Sequence, residues 1–171
     1  MNITVLGGGA WGTAIAISAA RHHAPQSVCL WARNAKQIEA LNIDAENKQY
    51  LPAIPLPSEL LLEPDFQKAL GRLGSDDVLV IATPMSGLPQ ILENVLTQAK
   101  HPLNILYLCK GLEPLAALLP HQVLQRGLAK HPTHRHAFGV LSGPSFAREV
   151  GEGLPCALTV ASHQHEFCAL V

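Results

Sequence analysis

Residues 2–12 read N-I-T-V-L-G-G-G-A-W-G, and this stretch decides the fold. Its first five residues form a short β-rich run, which predicts a strand. Consecutive glycines end that run, and an Ala- and Ile-rich segment with helical periodicity follows from Trp11 to His23. The chain is therefore predicted to open with a strand, a glycine-rich turn and a helix.

The glycines of the turn are spaced as Gly7-x-Gly9-x-x-Gly12. Between a strand and a helix, this spacing is the fingerprint of a turn that binds the pyrophosphate of a dinucleotide. Gly7 permits the tight turn, Gly9 lets the backbone approach the pyrophosphate, and Gly12 lets the helix pack close to the strand. Free N–H groups at the start of the helix add hydrogen bonds to the phosphates. We expect a dinucleotide site here, and the alternative is a glycine-rich turn without a ligand.

The rest of the chain alternates between the two kinds of secondary structure. Further strands are predicted at residues 27–31, 77–83, 103–109, 136–141 and 156–161. Further helices are predicted at residues 34–46, 65–73, 86–100, 115–130 and, in a shorter form, around 144–150. Residues 47–63 contain three prolines and are predicted to form an ordered connection without a regular helix or a central strand. Residues 1–171 are therefore predicted to form one α/β domain of Rossmann type, with a doubly wound, mostly parallel sheet flanked by helices.

The composition excludes several classes of partner. The chain is 48% hydrophobic and 15% charged and carries a formal net charge of −1, so nothing electrostatic favours nucleic acid or an anionic membrane. We expect no integral membrane segment and no signal peptide, because no apolar run approaches spanning length and the first residues lack a basic region. We predict a cytoplasmic protein whose partner is a small molecule.

Neither the cysteines nor the histidines predict a metal site. The cysteines are widely spaced and are expected to be free, mostly buried thiols: Cys29, Cys109, Cys156 and Cys168. His131, His134 and His136 cluster between a helix and a strand, but no cysteine or carboxylate completes a ligand set. We expect a solvated loop there.

The residue that follows the second strand indicates the cofactor. Dinucleotide enzymes that use NAD place an Asp or Glu at this position to bind the ribose hydroxyl. Here the sequence is W-A-R-N, and Arg33 could pair with a 2′-phosphate. NADP(H) is therefore the favoured cofactor and NAD(H) the alternative. A solvated surface arginine is the other interpretation of Arg33.

Two more segments follow predicted strands at the edge where open α/β sheets bind ligands. Lys110 comes directly after the strand at 103–109 and could polarise a carbonyl or hold a phosphate, although a surface lysine would look the same. Residues 142–147, S-G-P-S-F-A, follow the next strand and open a helix. Small residues with free N–H groups suit the close approach of a ligand.

Five blocks of the sequence together resemble the bacterial NAD(P)-dependent glycerol-3-phosphate dehydrogenases. They are G-G-G-A-W-G-T-A-I-A (7–16), L-W-A-R-N (30–34), Y-L-P-A-I-P-L-P (50–57), C-K-G-L-E (109–113) and L-S-G-P-S-F-A-R-E-V (141–150). The resemblance implies an oxidoreductase that transfers hydride reversibly between NAD(P)H and dihydroxyacetone phosphate, giving sn-glycerol 3-phosphate for phospholipid synthesis. A stand-alone dinucleotide-binding or redox-sensing module and a β-hydroxyacid or ketopantoate-type reductase are the alternatives. The first would not need the lysine block, and the G-P-S-F-A block argues against the second.

The resemblance also implies roles for individual residues. A cofactor-binding set would contain Gly7, Gly9, Trp11, Gly12, Thr13, Arg33, Tyr50, Lys110 and Ala147. A substrate-binding set, in which the lysine has a supporting catalytic role, would contain Lys110, Gly143 and Ser145. Cys109 and Pro89 depart from the family, which more often has a small residue and an arginine at these positions.

The family also has a helical C-terminal substrate domain, whose own lysine is the main proton donor or acceptor. The chain reaches Val171 about two helical turns after its last predicted strand, so that domain and lysine are expected to be missing. We therefore expect negligible turnover by these residues alone, since the alkoxide formed by hydride transfer needs a proton. A homodimer formed through the C-terminal domain is a further expectation.

Overall fold

The computed structural model describes residues 1–22 and 26–171. The strands are β1 (Asn2–Leu6), β2 (Ser27–Trp31), β3 (Glu46–Asn47), β4 (Leu51–Pro55), β5 (Leu60–Glu63), β6 (Val78–Ile81), β7 (Asn104–Tyr107), β8 (Ala137–Ser142) and β9 (Thr159–Ser162). The helices are α1 (Ala10–Arg21), α2 (Ala35–Asp44), α3 (Phe66–Leu70), α4 (Leu88–Gln98), α5 (Pro120–Lys130), α6 (Ala147–Glu152) and α7 (His165–Leu170). The predicted end of the first helix at His23 lies outside the described residues.

Seven strands form one sheet in the order β5-β2-β1-β6-β7-β8-β9. Neighbouring strands run parallel, except that β8 and β9 are antiparallel. The chain builds one half of the sheet outward from β1 through β2 and then starts the other half at β6, so the strand order reverses between β1 and β6. Ligands of open α/β sheets bind in the crevice at such a reversal, beside the carboxyl ends of the strands. The predicted doubly wound, mostly parallel sheet is confirmed.

The core lies on both faces of the sheet, because alternate residues of each central strand point to opposite sides. Along β6, Leu79 and Ile81 join the cluster that α3, α4 and α5 cover. Val78 and Val80 join the cluster on the other face, beneath α1, α2 and α7. All four side chains of β6 are buried, which explains why this strand reads as a continuous apolar run.

Two predicted elements differ from the structure. Residues 47–63 hold no central strand, as predicted, but they contain most of the antiparallel pair β3–β4 and the edge strand β5. The helix predicted from Leu115 begins at Pro120, since proline fits the first turn of a helix. Before it, the buried carboxylate of Glu113 accepts hydrogen bonds from the N–H groups of Leu115 and Ala116 and holds them in a turn.

The cysteine and histidine predictions need correction. All four cysteines are free, but Cys156 is exposed because it precedes the edge strand β9 in an open segment. His136, predicted in a solvated loop, is buried directly before β8. In the described part of the chain, no helix has the length and apolar character needed to cross a membrane.

Candidate functional site

The turn between β1 and α1 requires glycine at two positions. Gly7 has a φ of +135°, and a Cβ on it would lie 2.7 Å from the carbonyl oxygen of Ala82. A Cβ on Gly12 would lie 1.9 Å from the carbonyl oxygen of Gly7. Both positions therefore serve the close packing of the turn against α1 and against the residue that follows β6, which is the packing role expected of the third glycine.

Gly9 differs from these two glycines because a Cβ on it would meet no atom within 4 Å. It is the N-cap residue of α1, and no acidic side chain occupies the first turn of that helix. The start of α1 thus presents backbone N–H groups and a partial positive charge to open space. This arrangement fits a pyrophosphate, which carries negative charge and accepts several hydrogen bonds.

The loop between these glycines is held from two sides by amide side chains that sequence reasoning missed. The carbonyl oxygen of Gly8 accepts hydrogen bonds from Gln37 at 2.5 Å and from Asn47 at 3.0 Å. Asn47 also donates to the hydroxyl of Thr13 at 2.7 Å. Thr13 is fully buried, so its hydroxyl faces Asn47 rather than the open side of the loop. Tyr50 is exposed and donates its backbone N–H to the carbonyl oxygen of the Asn47 side chain.

Arg33 lies in the turn between β2 and α2, at the same edge of the sheet as the glycine loop. Its side chain is exposed and has no ion pair within residues 1–22 and 26–171. The next residue, Asn34, caps α2 by accepting a hydrogen bond from the N–H of Lys36 at 3.1 Å. The guanidinium is thus available to an anion near the end of β2.

Lys110 follows β7 and reaches the start of α1. Its Nζ atom lies 5.8 Å from the centre of the Trp11 ring. Beside it, Cys109 donates from its thiol to the carbonyl oxygen of Thr83, with the two heavy atoms 3.1 Å apart. Burial raises the pKa of that thiol to about 11, so it remains a protonated packing residue. Cys109 and Lys110 both line a cleft of about 340 Å³ that extends towards Leu112 and Pro120.

The segment before α6 lies against Lys110 and Trp11. A small pocket is lined by Trp11, Lys110, Ser142 and Gly143. A Cβ on Gly143 would lie 2.3 Å from the carbonyl oxygen of Ala157, so this glycine is also required by packing within the protein. The hydroxyl oxygen of Ser145 is buried and has no hydrogen-bond partner among the described residues, so its hydrogen-bonding capacity is unsatisfied.

The structure thus brings together residues that the sequence places far apart. Trp11, Lys110 and Gly143 line one pocket, and Trp11 and Ala147 both pack against the apolar cluster formed by α1, β4 and α6. Gly9 and Arg33 lie at the same edge of the sheet. Within the described residues, no group of three or more histidine, cysteine or acidic side chains could hold a metal ion.

Comparison with known proteins agrees with this geometry. The family described as "NAD-dependent glycerol-3-phosphate dehydrogenase N-terminus" matches residues 2–168. The chain is 56% identical to the glycerol-3-phosphate dehydrogenase [NAD(P)+] of Polynucleobacter asymbioticus over all of its own length and 51% of that protein. It is 45% identical to the enzyme of the same name from Cupriavidus taiwanensis, over 94% of this chain and 48% of that protein.

A solved structure shows the same fold. The crystal structure of glycerol-3-phosphate dehydrogenase from Coxiella burnetii superposes with a TM-score of 0.85 and 29% identity, over 97% of this chain and 48% of that one. The chain spans about half the length of the curated relatives it matches. Its dinucleotide-binding fold and the family match across residues 2–168 establish that the chain belongs to the NAD-dependent glycerol-3-phosphate dehydrogenase family, in the part that the family describes as its N-terminus.

Proposed function

We propose that the chain supplies the cofactor site and part of the substrate site of an NAD(P)-dependent glycerol-3-phosphate dehydrogenase. The reaction interconverts dihydroxyacetone phosphate and sn-glycerol 3-phosphate for glycerophospholipid synthesis. The observation that supports this best is the position of Lys110. Its ammonium group lies over the ring of Trp11, which belongs to the first turn of α1. A cation is thereby placed between the cofactor loop and the segment that contains Gly143 and Ser145.

A nicotinamide cofactor, when bound, would supply or take up the hydride. The N–H groups at the start of α1 would bind its pyrophosphate, and Trp11 would pack beside it. Lys110 has three donors and a positive charge, so it can polarise the substrate carbonyl and stabilise the alkoxide that forms when hydride arrives. The alkoxide then needs one proton to become the product hydroxyl.

The segment before α6 is proposed to hold the substrate. The unpartnered hydroxyl of Ser145 can donate to a substrate oxygen, and a substrate beside Gly143 would also lie close to Lys110. Ala147 would contact the cofactor, and it packs against the same apolar cluster as Trp11. Thr13 and Tyr50 would support the cofactor loop through Asn47.

NADP(H) is the proposed cofactor, with NAD(H) as the alternative. The support for it is the free guanidinium of Arg33 and the absence of a carboxylate among residues 31–34. A 2′-phosphate would pair with this guanidinium through charge-assisted hydrogen bonds. The homodimer and the cytoplasmic location expected from the sequence remain predictions.

Titration of the 171-residue chain with NADPH and NADH tests the proposal. Trp11 lies at the proposed site, so tryptophan fluorescence should change on binding, with a Kd below about 1 mM. Dihydroxyacetone phosphate should then bind to the NADPH complex of the wild-type chain, and at least tenfold more weakly to the NADPH complex of Lys110→Met. Lys130→Met, which changes a lysine of α5, is the control and should bind like wild type. Failure of the wild-type chain to bind either dinucleotide would disprove the proposal.

A further inference from the structure

The carbonyl oxygen of Gly8 is fully occupied by side chains of the protein. Gln37 donates to it from α2 at 2.5 Å, and Asn47 donates to it from β3 at 3.0 Å. A carbonyl oxygen has two lone pairs, so two donors satisfy it completely. Loop carbonyls are usually solvated, and two side-chain amides that converge on one of them fix its direction.

Asn47 is itself held by three contacts and is 2% exposed. Besides donating to Gly8, its amide nitrogen donates to the Thr13 hydroxyl at 2.7 Å. Its amide oxygen accepts from the backbone N–H of Tyr50 at 3.2 Å. An amide is needed here because the side chain must donate twice and accept once.

The direction of the Gly8 carbonyl determines the direction of the next N–H group. The described chain contains no cis peptide bond, so the Gly9 N–H points away from the Gly8 oxygen within the planar peptide. The oxygen faces Gln37 and Asn47, and the N–H therefore faces the opposite side. A Cβ on Gly9 would meet nothing within 4 Å, so there is room for a ligand beside this residue.

We propose that Gln37 and Asn47 are positioning residues that hold the Gly8–Gly9 peptide with its N–H directed at the cofactor pyrophosphate. This inference rests on the proposed function, because it assumes that a dinucleotide binds at the glycine loop. Glycine has more backbone freedom than any other residue, so an unsupported loop of three glycines would lose entropy when a ligand orders it. The two amides fix the loop in advance and thereby increase affinity.

The test compares neutral variants that each remove one of the two donors to the Gly8 oxygen. Gln37→Met keeps the length of the side chain and removes the donor, and Asn47→Ala removes the other donor. We expect each variant to raise the Kd for NADPH by about three- to tenfold, which is the usual effect of one hydrogen bond. Gln90→Met and Asn42→Ala are matched controls, because Gln90 donates to Asn94 within α4, Asn42 donates to Ile38 within α2, and neither side chain donates to Gly8.

A spectroscopic readout separates positioning from general stability. The carbonyl of Gly8 and the nitrogen of Gly9 belong to one conjugated peptide group, so losing a donor on the oxygen should shift the Gly9 ¹⁵N resonance. The shift is expected in Gln37→Met and Asn47→Ala and not in either control. The partly exposed Gln37 can be replaced without opening the core. If Asn47→Ala fails to fold, Gln37→Met alone therefore decides whether the amides hold the Gly8–Gly9 peptide.

The outcomes also distinguish this inference from the proposed function. Affinities for NADPH within twofold of wild type in both loop variants would overturn it, as would an unmoved Gly9 resonance. A wild-type chain that bound no dinucleotide would instead contradict the proposed function, while the Gly9 resonance would still decide whether the two amides hold the peptide.

Discussion

The ammonium group of Lys110 lies 5.8 Å from the centre of the Trp11 ring. Trp11 belongs to the first turn of α1 and Lys110 follows β7, and their parent strands β1 and β7 are separated in the sheet by β6. A cation over an indole face at an exposed site contributes about 0.5–1 kcal/mol. The contact therefore links the glycine loop to the loop that carries Lys110, the residue proposed to bind the substrate.

Replacing Trp11 should weaken the binding of NADPH in a graded way. The indole holds the Lys110 ammonium group more strongly than a phenyl ring does, and an aliphatic side chain lacks this attraction, so Lys110 would be held less well beside the cofactor. We expect Trp11→Phe to raise the Kd about twofold and Trp11→Leu about fivefold, as measured by isothermal titration calorimetry. Phe146→Leu changes an exposed aromatic residue nearby and should have no effect. Equal affinities of the Phe and Leu variants would show that the ring face plays no part.

Alanine at two glycines of the fingerprint should have different effects: it should lower stability at Gly12 and cofactor affinity at Gly9. Gly12→Ala places a Cβ 1.9 Å from the Gly7 carbonyl oxygen, so the loop must move or the protein unfolds at lower temperature. We expect a loss of about 3 kcal/mol or more in the free energy of unfolding, typical of severe overpacking.

Gly9→Ala should leave stability within about 1 kcal/mol of wild type, because its φ is −75° and its Cβ meets no atom. The added methyl group would occupy the space proposed for the pyrophosphate, so the Kd for NADPH should rise at least tenfold. Chemical denaturation and cofactor titration of both variants check this contrast. A Gly9→Ala chain with wild-type affinity would place the pyrophosphate elsewhere.

Arg33→Ala should remove the preference for NADPH. The exposed guanidinium has no ion pair in the described part of the chain, so its loss should affect a bound 2′-phosphate without changing the fold. We expect the Kd for NADPH to rise about tenfold or more and the Kd for NADH to stay within twofold. Arg126→Ala, an exposed arginine of α5, is the control. If the Arg33 variant still preferred NADPH, this arginine would not select the cofactor.

Most of the sheet could be predicted because its strands and helices are marked by local patterns. β6 is uniformly apolar, and Asn34 caps α2 as its position before the apolar residues of that helix suggests. The start of α5 could not be placed this way, because the buried carboxylate of Glu113 binds two N–H groups and keeps the preceding residues out of the helix. The edge strand β5 was obscured by the prolines before it.

The part of the site that could be predicted is the glycine turn, where local backbone contacts require glycine. Gly7 and Gly12 are required by contacts inside one strand–turn–helix unit, so their spacing alone reveals them. Gln37 and Asn47 lie 29 and 39 residues from the carbonyl they contact, and nothing local marks an amide as a support for a distant loop. Such long-range polar contacts need the fold before they can be recognised.

The buried imidazole of His136 should make the protein less stable in acid. Its Nδ1 atom accepts a hydrogen bond from the N–H of Leu103 at 3.2 Å, so this nitrogen must be unprotonated. Burial, followed by the nearby His134, His101 and His131, lowers the pKa of His136 from 6.5 to about 4. Glu93 also faces this group of histidines, where it contacts His131 at 3.1 Å.

The protein loses stability in acid because the unfolded chain binds a proton on His136 more readily than the folded chain does. Above pH 6.5 the imidazole is neutral in the folded and the unfolded chain, so the full stability is present. Between pH 6.5 and about 4 the unfolded chain takes up a proton that the folded chain excludes, and stability falls by about 1–3 kcal/mol. Urea denaturation at pH 7.5 and 4.5 measures this loss.

His136→Asn provides the decisive comparison for this pH dependence. Its amide oxygen can accept from the Leu103 N–H, but it does not titrate, so the variant should lose less stability than wild type between the two pH values. The exposed His163→Asn should behave like wild type, because that side chain lies outside the buried group. The other titrating groups are common to all three proteins, so their contribution cancels in the difference. If His136→Asn lost as much stability in acid as wild type, a group other than His136 would control the acid sensitivity.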